Sequence, residues 1–268
     1  MTRKDIYKQC ITSTKMADLI RQVAEDLRDS EEFVQDLVKG VHRSAMVYGP
    51  PGMGKTHLIT AGLDGAGKQI GKDYLIARSH TTPMQFYAML YMMRNPGQFV
   101  VMDDCDGLMR DEEGINLLKA ATDNTFRTVG WSTSASVKIP GVDIKVPKSF
   151  EFNGAVVIAT NVRGAKSGRA AQHLAALKSR CVSWKMNYDT MQEQFAYVYH
   201  LVVDRNYLDA DPQTRLDPEQ KVELLNFIQN NLVNCPGLDL RKPQHIARVI
   251  LNKPGRWHNH ARRFLEAV

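Results

Sequence analysis

Gly49-Pro50-Pro51-Gly52-Met53-Gly54-Lys55-Thr56 fits G-x-x-x-x-G-K-[ST] at every fixed position. That spacing belongs to a loop whose backbone N–H groups curl around phosphate oxygens. Glycines allow the curl, Lys55 supplies a point charge for the β- and γ-phosphates, and the Thr56 hydroxyl is a ligand for Mg²⁺. With His57, which opens the following helix, these nine residues are the candidate nucleotide-binding set. Some fifty residues on, Asp103 and Asp104 end an apolar run. Asp103 is the candidate second Mg²⁺ ligand and Asp104 the group that orients or activates the attacking water. Where such an acid is often Glu, Asp104 is one methylene shorter, and Asp106 could supplement it. Asn161 ends a second apolar run and is the third polar tip.

These residues need elements to hold them. Residues 44–48 read as a short buried strand and residues 57–61 as a helix, the strand–loop–helix context that the phosphate loop requires. Residues 74–77, 99–104, 155–161 and 181–186 read as further strands. Unbroken apolar runs such as Phe99-Val100-Val101-Met102 are what strands buried in a parallel sheet look like, and polar residues at their C-terminal ends lie where open α/β sheets place ligands. Helices are expected at 16–38 with a break at residues 29–32, from Pro83 behind a capping Thr82, at 112–122 and at 169–178. Residues 128–152 are expected to hold a β-hairpin turning at Pro140-Gly141, with Lys138, Asp143 and Lys145 on one face. Beyond residue 187 the pattern is helical only, with helices at 191–201, 218–232, 243–251 and 257–267. The expected fold class is α/β, a phosphate-loop parallel sheet, divided into a helical segment (1–40), a nucleotide-binding domain (41–187) and a helical lid (188–268).

Composition narrows the class. The 268 residues are 43% hydrophobic, enough for a substantial core, and no apolar run approaches the ~18 residues of a spanning helix. No membrane partner and a cytoplasmic location are expected. Four scattered cysteines form no C-x-x-C, which argues against structural zinc and a disulfide framework. Seven basic residues and one acid lie between Arg241 and the C-terminus, so that segment accounts for the whole formal charge of +6. A basic end hints at a polyanion partner.

Taken in order, the phosphate loop, acid-tipped strand, polar-tipped strand, Ser179-Arg180 and helical lid resemble the AAA+ ATPases over about residues 41–251. Residues 100–106 look like that family's Walker B region, close to the clamp-loader variant. The resemblance implies ATP and Mg²⁺ as cofactors and a sensor 1 role for Asn161. It makes Arg180 an arginine finger acting on a neighbouring subunit, with Arg163 and Arg169 as rivals, and Arg241 a sensor 2 arginine, with Lys242 as its rival. It implies a ring or spiral of identical subunits, a hexamer. The hairpin looks like the pre-sensor-1 insertion of helicases and related viral ATPases, which makes Lys138 and Lys145 candidate nucleic-acid contacts. The compact chain is similar in style to phage-encoded members. The function implied is ATP hydrolysis coupled to work on nucleic acid, DNA favoured, as a helicase or loader. The alternatives are a protein-remodelling ATPase, against which the lack of an aromatic–hydrophobic–Gly triplet at 79–84 argues, and a nucleotide-gated scaffold with little turnover.

Overall fold

In a computed structural model, residues 2–11, 13–78, 80–131, 137–139, 142–144, 146–161 and 169–266 are described. In chain order they form helices α1 (Arg3–Cys10) and α2 (Thr14–Val38), strand β1 (Ser44–Tyr48), α3 (Lys55–Gly65), β2 (Tyr74–Arg78), α4 (Pro83–Met92) and β3 (Phe99–Asp103). Next come α5 (Asp106–Arg110), α6 (Glu112–Thr122), β4 (Thr128–Gly130), β5 (Val137–Ile139), β6 (Val142–Ile144), β7 (Ser149–Glu151) and β8 (Ala155–Thr160). The chain continues with α7 (Arg169–Lys178), β9 (Val182–Lys185), α8 (Met191–Val203), α9 (Pro218–Asn230), α10 (Arg241–Asn252) and α11 (Trp257–Glu266). None of the described helices is long and apolar enough to cross a membrane.

The chain divides into two compact units. The sheet unit comprises residues 30–49 and 55–186, and the helical unit residues 1–29, 50–54 and 187–268.

In the sheet unit five strands lie in the order β2-β3-β8-β1-β9, all parallel. This is the α/β phosphate-loop sheet expected from the sequence. Strand alternation divides its side chains between two faces. Val100, Met102, Val156 and Ile158 share a buried cluster with Phe86 and Leu90 of α4, Ile115 and Leu118 of α6, and Leu177 of α7. Val101 and Val157, level with each other in the register, point the other way, and α3 packs against β3 and β8. Because both faces are covered, every residue of β8 is buried. That explains the unbroken apolar runs.

Several helix starts follow the local rules. Thr82 and Gln85 form a reciprocal capping box ahead of Pro83, and Thr190 with Glu193 and Asp217 with Gln220 do the same for α8 and α9. Each satisfies otherwise orphaned N–H groups of the first turn.

Other expectations need correction. The break at residues 29–32 does not occur: α2 is one helix of 25 residues. Ser30 is buried there and accepts a 2.9 Å hydrogen bond from Trp184 Nε1, and Phe33 stacks on the same indole at 4.7 Å. Tertiary packing thus overrides the capping signal of Asp29-Ser30. Helix α1 was not anticipated, although Thr2 and Asp5 form its capping box. Helix α10 starts two residues earlier than expected, because Pro243 falls in the first turn, where a missing N–H costs nothing. In the insertion, β5 and β6 pair antiparallel with Lys138 level with Asp143; the turn expected at Pro140-Gly141 lies outside the described residues. The β4–β7 pairing, also antiparallel, was not foreseen; three-residue strands carry too little periodicity to read.

Candidate active site

The parallel register decides which tips meet. Tyr48 lies level with Thr160, and Asp103 with Ala159. One residue further, Gly49, Asn161 and Asp104 all emerge at the C-terminal ends of three adjacent strands, with β8 in the middle. Lys55 and Thr56 open α3 at the same end.

The side chains there are joined. Lys55, only 6% exposed, donates from Nζ to Asn161 Oδ1 at 2.6 Å and to the Gly49 carbonyl at 3.2 Å. Asn161 Nδ2 donates to Asp104 Oδ1 at 2.9 Å. The amide thus turns its oxygen to a cation and its nitrogen to a carboxylate, the only orientation that satisfies both. Beside this chain, Thr56 Oγ1 donates to Asp103 Oδ1 at 2.5 Å. Asp104 has φ 49°, a left-handed conformation that Asp tolerates better than most residues but that still marks a held position. Its backbone N–H still reaches the Ala159 carbonyl at 3.3 Å, so the ladder to β8 extends to this residue and the positive φ redirects the chain only after it. Gly49 is closely packed: a Cβ there would lie 3.0 Å from that of Met186, which would have to give way by a few tenths of an ångström.

The middle of the phosphate loop is held within the helical unit. Gly52 and Gly54 have φ of +69° and +79°, as a curled loop needs. The Gly52 carbonyl accepts from Leu240 N at 3.1 Å, and Met53 O accepts from Tyr197 Oη at 3.2 Å. A Cβ on Gly52 would approach Asp239 to 2.5 Å. Met53 is buried, while Pro51 is exposed. Asp239 caps α10, accepting from Arg241 N at 3.0 Å and Lys242 N at 3.1 Å. The Arg241 side chain is exposed. Lys242 is committed elsewhere, its Nζ donating to the Leu265 carbonyl at 2.7 Å.

Lys55, Thr56, Asp103, Asp104, Asn161 and Gly49 therefore come together in the sheet unit. His57 is exposed on α3. Arg180 is remote from that group, since it lies just before the N-terminal end of β9. It donates from Nη1 to the Ala176 carbonyl at 2.9 Å, and its Nε lies 3.9 Å from Asp123 Oδ2. Lys145 and Arg163 lie outside the described residues, as do the side chains of Asp106, Lys138 and Arg169.

Sequence reasoning missed Arg127. It is 7% exposed and hydrogen-bonds the Gly154 carbonyl at 2.9 Å, Ser44 Oγ at 3.1 Å and the Arg43 carbonyl at 3.4 Å. Its Nε reaches the Ala121 carbonyl at 2.7 Å. Burial, and then the neighbouring Arg43 charge, lower its pKa to about 10. Asp123 beside it is held below the ordinary carboxylate range by the backbone N–H groups of Phe126 and Thr125, with smaller help from Arg180. No local pattern marks either residue.

No protein-family model and no curated protein matches the chain. Among solved structures it is similar to C. elegans PCH-2, at 15% identity and a TM-score of 0.46, covering 98% of this chain and 70% of that one. It is also similar to domain III of the Thermotoga maritima replication initiation protein DnaA, at 11% identity and a TM-score of 0.47, covering 98% and 97%.

Proposed function

We propose that the chain is an ATP hydrolase of the AAA+ type, working as a ring or spiral of identical subunits, a hexamer, on nucleic acid. The observation that carries the hydrolase reading is the connected group Lys55–Asn161–Asp104, beside Thr56–Asp103, at the C-terminal ends of adjacent parallel strands. Lys55 is the cation for the terminal phosphates of ATP. Asn161 touches both that cation and the acid, so it can sense the phosphate and place the attacking water. Asp104 accepts or orients the water's proton. The Thr56 hydroxyl and Asp103 carboxylate are adjacent hard-oxygen donors and fit Mg²⁺, which when bound neutralises charge on the β- and γ-phosphates. Arg241 follows Leu240, whose N–H holds Gly52 of the loop, and this supports its reading as the sensor 2 arginine.

A subunit contact is favoured by the position of Arg180. It lies at the opposite end of the strands from Lys55, about 20 Å away at ~3.3 Å per residue. A finger so placed serves a nucleotide held by another copy. Nucleic acid, DNA in particular, is favoured by the exposed Lys253, Arg256, Arg262 and Arg263 near the C-terminus and by the inserted hairpin.

The test is Asp104→Asn. It should bind ATP as tightly as wild type and retain it unhydrolysed. Wild-type turnover in that variant would remove Asp104 from the chemistry and make Asp106 the candidate. Wild-type turnover should also rise with single- or double-stranded DNA, and the rise should fade with salt; equal rates with and without DNA would turn the reading toward a protein substrate.

A further inference from the structure

We propose that Arg43 and Arg180 together bind a phosphate-class anion at the N-terminal edge of the sheet, the end opposite the phosphate loop. The register brings them together. Ala45 lies level with Val182 at the start of the parallel β1–β9 pair, so Arg43 and Arg180, which precede those two strands by one and two residues, stand at the same edge of the sheet. Both line a cavity of about 210 Å³, with Ser44, Asp123, Arg127 and Val182 among its other walls. With a bulk share of ~30 Å³ per water, that volume takes a phosphoryl group with its bound water and is larger than a lone carboxylate needs.

The charges call for an anion. Three arginines line the cavity against one aspartate. Arg127 is a fixed part of the wall, its donors taken by carbonyls and Ser44, and its bond to the Arg43 carbonyl also steadies the backbone from which Arg43 projects. Asp123 spends one oxygen on the N–H groups of Thr125 and Phe126, both at 2.9 Å. Its other oxygen faces Arg180 Nε too far off for a hydrogen bond, and that Nε is buried with no hydrogen-bond partner among the described residues. A buried unpaired donor is costly, and a ligand oxygen would relieve it. Arg43 is exposed. Two arginines lining one cavity and a surplus of two positive charges match a phosphate better than a singly charged carboxylate.

The phosphate could belong to a nucleotide held by a second copy of this chain or to a nucleic-acid backbone. The site itself does not depend on the trans-acting role proposed for Arg180. It is tested first with inorganic pyrophosphate on full-length Lys55→Ala protein, in which the phosphate loop is disabled. Calorimetry should show binding that weakens at least about tenfold when Arg43→Ala is added, with partial recovery in Arg43→Lys, which keeps the charge and loses the fork. No pyrophosphate binding by the Lys55→Ala protein, or equal affinity with and without Arg43, overturns the proposal. The exposed position of Arg43 keeps folding out of the result, and circular dichroism checks it. The source is then read in the otherwise wild-type chain. A second copy's nucleotide is indicated if Arg43→Ala lowers turnover at saturating ATP about tenfold or more. A nucleic-acid backbone is indicated if it lowers the salt slope of oligonucleotide binding by about 0.9 for a duplex or 0.7 for a single strand. If Arg180→Ala keeps full turnover yet loses pyrophosphate, the trans-finger reading fails and the anion site stands.

Discussion

The two ends of the parallel sheet solve the problem of buried charge differently. At the C-terminal end Lys55 is joined to Asn161 and Asp104, and Thr56 to Asp103, mostly side chain to side chain. At the N-terminal end Arg127 is bound mostly to backbone carbonyls, those of Ala121 in the last turn of α6 and of Gly154 and Arg43 just ahead of β8 and β1. Side chains can exchange partners when a ligand arrives; backbone carbonyls at strand ends cannot move without moving the sheet. The first arrangement suits chemistry, and the second suits holding a wall. Arg180 breaks the symmetry, since it stands at the N-terminal end and yet carries a buried donor unpaired among the described residues.

The largest expected effect tests that exception. Arg180→Ala should bind ATP normally and hydrolyse it ~10³–10⁵ times more slowly, the range for an arginine finger. Mixing it with Lys55→Ala protein should restore activity, because some interfaces then pair an intact loop with an intact finger. Full activity in dilute monomers of wild type would confine the chemistry to the C-terminal end. Next, Lys55→Ala should cost at least ~10²–10³ in turnover, as loss of one charge-stabilising donor does, while unfolding shifts by no more than about 2 kcal/mol. A collapse of stability in that variant would mean that the C-terminal group is a wall as well.

The sharpest contrast comes from Arg127→Leu, which strips a buried cation from several carbonyls. It should destabilise by about 3–5 kcal/mol, read by urea unfolding, with ATP affinity intact in the folded fraction. Ser30→Ala should cost about 1 kcal/mol by leaving Trp184 Nε1 without its partner. The smallest effect is on pH dependence. Asp123 is depressed in the folded protein, so its contribution is present above the ordinary carboxylate value and is lost as pH falls through its lower folded value. Asp123→Asn should therefore flatten the acid limb of stability below about pH 4. An unchanged acid limb would show that the Thr125 and Phe126 hydrogen bonds contribute nothing to folding.

Much of the candidate site was legible because its signals are local. Gly52 and Gly54 mark a backbone that must turn left-handed, and Phe99-Val100-Val101-Met102 marks a strand covered on both faces whatever surrounds it. The capping Thr82 ahead of Pro83 was legible for the same reason. Asp29-Ser30 misled because a capping residue in the middle of a helix looks the same as one at its start until the Trp184 indole is brought against it. Arg127 was silent, since nothing in its neighbours along the chain says that Gly154 and Ser44 will surround it.

The sequence by itself determined the phosphate loop, the acid-tipped and polar-tipped strands and the alternation of strand with helix, all of which follow from torsional preference and from burial repeated over a few residues. Tertiary structure alone decided that β8 lies between β1 and β3, and so that Asn161 joins Lys55 to Asp104. It also decided that Arg43, Arg127 and Arg180 share one cavity. Strand order in a parallel sheet is set by how the crossover segments pack, through contacts between residues far apart in the chain, and no short-range periodicity encodes that choice.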